Sequence, residues 1–246
     1  MREIQQIEKV WDRTSISNVR IILLVVNYCI GYMYIYPIIA SMISLLVNPD
    51  ANSLLVGLEF IIYAFMIIFC IIVGWPILKE EYFLLKNEKW EIGHKICVCL
   101  KNLLFIYISN MILGPIIRWL SQADTSANQT IIEQSVLSLP FVTIFAVVIF
   151  APIVEEIVFR GVIYRFIRLK YNFIKAAIIS SFAFGFIHVY SSLFTGDYRD
   201  LWYMFSYAMT GFIIAKTYEE TNSLYGSIFL HFINNAISLL FILSFN

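Results

Sequence analysis

Long apolar runs separated by short polar stretches govern this chain. They fall at about Ile21 to Val47, Leu54 to Leu78, Ile96 to Leu120, Ile131 to Leu169, Phe173 to Tyr190, Leu201 to Thr217 and Leu224 to Phe245. About 20 apolar residues in a helix cross the hydrocarbon core of a bilayer, so each run reads as a spanning helix. Ile131 to Leu169 is too long for one straight crossing at about 1.5 Å per residue. Pro140 and Pro152 are expected to divide it, and Pro37 is expected to kink the first run. The intervening stretches are a polar lead over residues 1–20, a turn at Asn48 to Asn52 and a charged amphipathic connector from Lys79 to Lys95. A polar loop, SQADTSANQT, and a basic cluster of Arg160, Arg165, Arg168, Lys170 and Lys175 complete them.

Composition supports this reading. The chain is 60% hydrophobic and 14% charged, against roughly 45–50% and about 25% for soluble domains. The expected fold is all-α, a polytopic transmembrane bundle of about seven spans, with six to eight compatible with the pattern. A single integral membrane domain over 1–246 is expected, with lead 1–20, N-terminal spans 21–130 and a core 131–246. With the N-terminus cytoplasmic, all of the 17 Lys and Arg except Arg118 and Arg199 fall on or near the cytoplasmic side. Trp75, Trp119 and Trp202 lie near span ends, as interfacial anchors do. The lead is long and polar, and the first run exceeds a signal-peptide h-region, so no cleavage is expected. Cys29, Cys70, Cys97 and Cys99 read as small apolar side chains. No nucleic-acid partner is expected, and membrane lipids are.

Against so apolar a background the buried polar residues carry the chemistry. Glu155 and Glu156 end the run Phe141 to Val154, and a charge at membrane depth costs at least about 2.5–3.5 kcal/mol. On one helix they point about 100° apart. Glu156 and Arg160 stand four apart with the acid first, the favourable order for an ion pair. Glu155 has no partner on its own helix. His188 shares a face with Phe184, and Gly185 between them allows close helix approach. His231 shares a face with Asn235, beside Asn234. Counted from the basic ends, Glu155 and His188 lie about 20 Å deep and His231 and Asn235 about 10–15 Å. Four polar groups from three helices are therefore able to meet inside the bilayer. Taken singly, each has a plainer account as an interhelical hydrogen bond or a structural bridge. Glu59 and Lys101, near span ends, read as snorkelling residues, and His94 as a surface residue.

Glu155-Glu156-x-x-x-Arg160, Phe184-x-x-x-His188 and His231-x-x-x-Asn235, with Pro152, Phe159 and Gly161 around the first, resemble the three ordered motifs of the CAAX-protease and bacteriocin-processing (Abi, or CPBP) intramembrane protease family. The likeness covers about Leu139 to Phe245. It implies peptide-bond hydrolysis within the membrane. Glu155 and His188 would bind and deprotonate water, His231 and Asn235 would polarise the scissile carbonyl, and Glu156 and Arg160 would support the first motif. A metal-free glutamate mechanism is the expectation. Glu155, His188 and His231 are also a recognised kind of zinc set, with Glu156 then the base. The substrate implied is a membrane-associated peptide or protein, such as a bacteriocin or pheromone precursor, in a bacterial cell membrane. A prenylated substrate is not the expected one.

Two other classes stay open at this point. One is a non-catalytic immunity or scaffold protein of the same fold. The other is a transporter using the buried acids, which the lack of an internal repeat weakens.

Overall fold

The computed structural model describes residues 16–47, 52–87 and 91–245. The expectations for most of the N-terminal lead, for the Asn48 to Asn52 turn before Asn52, and for residues 88–90 lie outside them. Among the described residues the secondary structure is helical, with no strand. The main helices are α1 (Asn18–Val47), α2 (Asn52–Asn87), α3 (Ile92–Ser121), α4 (Ala127–Ser138), α5 (Pro140–Arg168), α6 (Phe173–Val189), α7 (Met204–Thr221) and α8 (Leu224–Phe245). The chain is an integral membrane protein built as an all-α helical bundle.

Five of these helices, α1, α2, α3, α5 and α8, are long and apolar enough to cross a membrane. The pattern also reads α6 and α7 as spans, and these differ from the five in length or charge. At 17 residues, α6 is apolar but short. Over its 18 residues α7 carries Lys216, Glu219 and Glu220. These close the end of the bundle through Lys101–Glu220 at 3.1 Å and Arg168–Glu219 at 3.0 Å.

Local chemistry sets the helix ends. Ser126 Oγ caps α4 by accepting from the Gln129 N–H at 3.1 Å, and Asn172 Oδ1 caps α6 through the Lys175 N–H at 3.1 Å. Left-handed Gln122 (φ 53°) ends α3, and left-handed Asn222 (φ 49°) ends α7. The α8 start is capped from another helix, where the Leu224 N–H donates to Oε2 of the buried Glu81 at 2.8 Å. Pro140 opens α5 after Leu139, a position where its missing N–H costs nothing.

One proline behaves differently from expectation. Pro152 does not divide the 131–169 stretch; the break falls at Leu139, and α5 runs on through Pro152. The helix accommodates it by widening its turns over Phe145–Phe150, where the Ala151 N–H reaches back five residues to the Ala146 carbonyl. Pro37 is likewise preceded by widened turns over Asn27–Ile35, with the Tyr36 N–H bonded to the Gly31 carbonyl. Widened turns of this kind relieve the clash between a proline ring and the carbonyl four residues before it. The connector also differs from expectation, since its first part, through Asn87, simply continues α2. The cysteines are free; Cys70 and Cys99 are buried, Cys29 is half-buried and Cys97 is exposed on α3.

The central helix is α5. Half of its apolar window is buried (50%), against 28% or less in the other apolar spans. It packs against α1, α2, α6 and α8. The closest pairing is α6 on α7, and Gly185 explains it. A Cβ there would stand 2.6 Å from the Met204 carbonyl oxygen and 2.9 Å from the Ala208 nitrogen. The outward faces are apolar, with Leu46 83% and Phe141 88% exposed. In water that pattern would drive aggregation; in lipid it is the solvent-facing surface.

Candidate active site

The widened turns of α5 bracket Glu155 and Glu156, which are both buried. As their spacing requires, they face different ways. Oε1 of Glu156 accepts from Arg160 Nη1 at 2.9 Å and from His231 Nδ1 at 2.8 Å. Arg160 is fully enclosed; its Nη2 donates to the Gly211 carbonyl at 2.8 Å and its guanidinium lies 4.6 Å from the Phe184 ring centre. Gly211 leaves the room this needs, since a Cβ there would stand 3.3 Å from Nη2. The Glu156–Arg160 pair is therefore a buried, multiply hydrogen-bonded bridge that also anchors the imidazole of His231.

Glu155 makes no ion pair among the described residues. Its Oε1 accepts the hydroxyl of buried Tyr28 at 3.2 Å, and its Oε2 is buried without a partner. A cavity of about 530 Å³ is lined by Glu155, His188, His231 and Asn235 together. Counting along each helix gives the two pairs depths of about 20 Å and about 10–15 Å, and all four groups line the one cavity.

Hydrogen-bond chemistry orients the imidazoles. His188 Nδ1 lies 2.8 Å from the Phe184 carbonyl oxygen, which can only accept, so Nδ1 carries the proton and Nε2 has the lone pair. The ring stacks on Tyr207 at 4.4 Å between centres. Tyr207 is itself fixed by hydrogen bonds with Ser126 Oγ (2.8 Å) and Asn128 Nδ2 (3.3 Å). His231 gives its Nδ1 proton to Glu156, leaving Nε2 as its free ring nitrogen. Asn235 Nδ2 donates one proton to the Val147 carbonyl at 2.9 Å, while its Oδ1 accepts from Asn234 Nδ2 at 3.2 Å. The amide orientation is thereby fixed, with one N–H left over.

The Val147 carbonyl is available because of Pro152. In the five-residue pattern that joins Ala151 to Ala146, the next donor would be the residue 152 N–H, bonding to Val147. Proline has none. A helix carbonyl orphaned by proline thus holds the Asn235 side chain. Pro152 belongs to the sequence pattern, but this role is not readable from it.

Other contributors also escaped the sequence. Tyr28, Tyr207 and Asn234 hold Glu155, His188 and Asn235 respectively. Glu59, read as a snorkelling side chain, instead lines the cavity. Tyr28 and Glu59 carry a signal in retrospect, as polar groups inside otherwise apolar spans. His94 is exposed, as expected, and Lys101 pairs with Glu220.

Among the described residues no three His, Cys, Asp or Glu side chains group so as to hold a metal ion. The Nδ1 atoms of both histidines and Oε1 of Glu155 already have partners. Partners at Nδ1 leave Nε2 of each histidine free, and Oε2 of Glu155 has none, so the atoms a metal ion would use are the unpartnered ones.

Taken together, these features define a polytopic membrane protein with a carboxylate, imidazoles and an amide gathered in one intramembrane cavity. Residues 137–237, which hold every one of those groups, match the family described as Type II CAAX prenyl endopeptidase Rce1-like. The resemblance carried by the three motifs is the one the family match finds, and it leaves α1 to α3 and most of α4 unmatched. No curated protein and no solved structure matches the chain.

Proposed function

We propose that this protein is an intramembrane endopeptidase that hydrolyses a peptide bond of a membrane-associated peptide, such as a bacteriocin or pheromone precursor, with water activated by Glu155 and His188. The observation that carries the reading is chemical complementarity within one cavity. It presents a buried carboxylate oxygen with no partner, an imidazole lone pair and an amide N–H not otherwise used.

The steps balance without another reagent. Water lies between Glu155 Oε2 and His188 Nε2; the carboxylate takes one proton as the water oxygen bonds to the carbonyl carbon. The negative charge that develops on the carbonyl oxygen is met by the free N–H of Asn235 and by His231. For His231 Nε2 to donate, its ring must carry both protons, with Nδ1 held by the Glu156 carboxylate. The C–N bond then breaks, and Glu155 returns its proton to the leaving amine. Oriented donors in a water-poor site contribute about 10²–10³ in rate each.

The distribution of Lys and Arg supports a cytoplasmic N-terminus. The polar start of α4, where Ser126, Asn128 and Gln129 line the cavity, then lies on the opposite side. Substrate would be reached from there. A reporter fused after Asn246 that is active only outside the cytoplasm checks this orientation.

The deciding experiment compares wild type with Glu155→Gln, His188→Ala, His231→Ala and Asn235→Ala in reconstituted membranes, using a fluorogenic peptide panel. Loss of cleavage by well-folded Glu155→Gln is the expected result. Full cleavage by that variant overturns the mechanism. A wild type that cuts nothing, while Glu155→Gln keeps the cellular phenotype, favours a non-catalytic partner protein. Activity lost to a chelator and restored by zinc would replace the metal-free steps.

A further inference from the structure

A second cavity, of about 330 Å³, lies against the first, between α1, α2 and α6. The two share Glu155 and His188 as wall residues, and also Tyr32, Glu59, Tyr63 and Asn128. Tyr32 and Tyr63 contact each other at 6.3 Å between ring centres. An extended peptide whose scissile bond lies at Glu155 would therefore place residues on both sides of this boundary, beside Glu59.

Glu59 is half-buried. Among the described residues no hydrogen bond or ion pair to its carboxylate is found, and no Lys or Arg lines either cavity. The guanidinium of Arg160 on α5 is committed to Glu156 and Gly211. A carboxylate within a membrane span needs a partner or a task, because its desolvation is not otherwise offset. Among the described residues it has no partner, and the wall it occupies is one that substrate would touch.

Resting on the peptidase reading above, we propose that Glu59 is a specificity-determining residue: it receives a cationic group of the peptide substrate, a Lys or Arg side chain or a free N-terminal amine, close to the bond that is cut. Glu59 lies outside the stretch that matches the family, so this selection belongs to the chain's own N-terminal spans.

The test uses full-length protein in lipid nanodiscs and N-acetylated reporter peptides with Lys, Gln or Glu scanned across the residues flanking the cleaved bond. A second set has a free N-terminal amine. Each variant is read as a ratio of kcat/KM values, which is independent of how much protein is folded. In wild type one position favours Lys over Gln by about 10–100-fold, the scale of a charge-assisted hydrogen bond. Glu59→Gln brings that ratio towards one, and Glu59→Lys turns the preference towards the Glu peptide. If only the free-amine set responds to Glu59, the cation is the peptide N-terminus. Glu155-dependent cleavage with the same ratios in wild type and Glu59→Gln overturns charge selection and leaves the peptidase reading intact. No cleavage of any peptide by wild type overturns both.

Discussion

Tyr28 donates its hydroxyl to Oε1 of Glu155 over 3.2 Å, so a residue of the first span holds the carboxylate that the proposed reaction uses. Both side chains are buried, and Oε2 is the oxygen left to act on water. Tyr28 also packs edge-on against Phe159 at 5.8 Å, so its ring has a structural role separable from its hydroxyl.

Tyr28→Phe separates the two roles. Packing is retained, while one charge-assisted hydrogen bond is lost, worth about 1.5–3 kcal/mol. We expect a fall in kcat of about tenfold or more, with a melting temperature in detergent close to wild type. A purely structural Tyr28 would instead lower stability and leave kcat per folded molecule alone.

Pro152→Ala makes a less obvious prediction. Alanine restores an N–H at position 152, which can bond to the Val147 carbonyl and compete with Asn235. The helix should become more regular and the protein no less stable. The Asn235 amide, no longer held, would meet the developing oxyanion poorly, and kcat should fall towards the loss of about 10²–10³ expected for removing one donor. Steady-state kinetics beside thermal unfolding checks it. Unchanged kcat would remove Val147 from the positioning of Asn235.

What was legible in the sequence follows the physics of each feature. Apolar runs of spanning length, the i,i+4 pairing of Glu156 with Arg160 and the close approach at Gly185 are local, and spacing exposes them. That His231 bonds to Glu156 rather than Glu155 is a relation between α5 and α8, and no spacing within either helix encodes it. Glu59 looked like a span-end residue because depth is counted along one helix; its place in the wall of two cavities depends on how α1, α2 and α6 pack. The short α6 and the charged α7, which the pattern reads as spans, stand apart from the five long apolar helices by length and by the charges at one end.

Gly185→Ala tests the close pairing of α6 with α7. The added carbon would stand 2.6 Å from the Met204 carbonyl oxygen, a backbone atom that cannot rotate away. Overpacking of this kind costs about 1–3 kcal/mol. Because His188 lies one turn beyond and stacks on Tyr207 of α7, the same displacement should lower kcat. Differential unfolding and cleavage measured on one preparation check both parts, and an unperturbed melting transition would mean that the two helices pack more loosely.

The Glu156–Arg160–His231 cluster allows stability and activity to be uncoupled. Removing the cation alone, as in Arg160→Met, strands a buried carboxylate, at a cost of about 3–5 kcal/mol. The expected outcome is low membrane abundance. Replacing both members, as in Glu156→Leu with Arg160→Met, removes the stranded charge, and stability should recover at least in part, since buried pairs are often replaceable by apolar residues. Activity should not recover with it. In the double variant His231 Nδ1 has lost the carboxylate that orients its ring. A well-folded double variant with wild-type kcat would show that Glu156 serves the fold alone, and that His231 does not need its carboxylate to act.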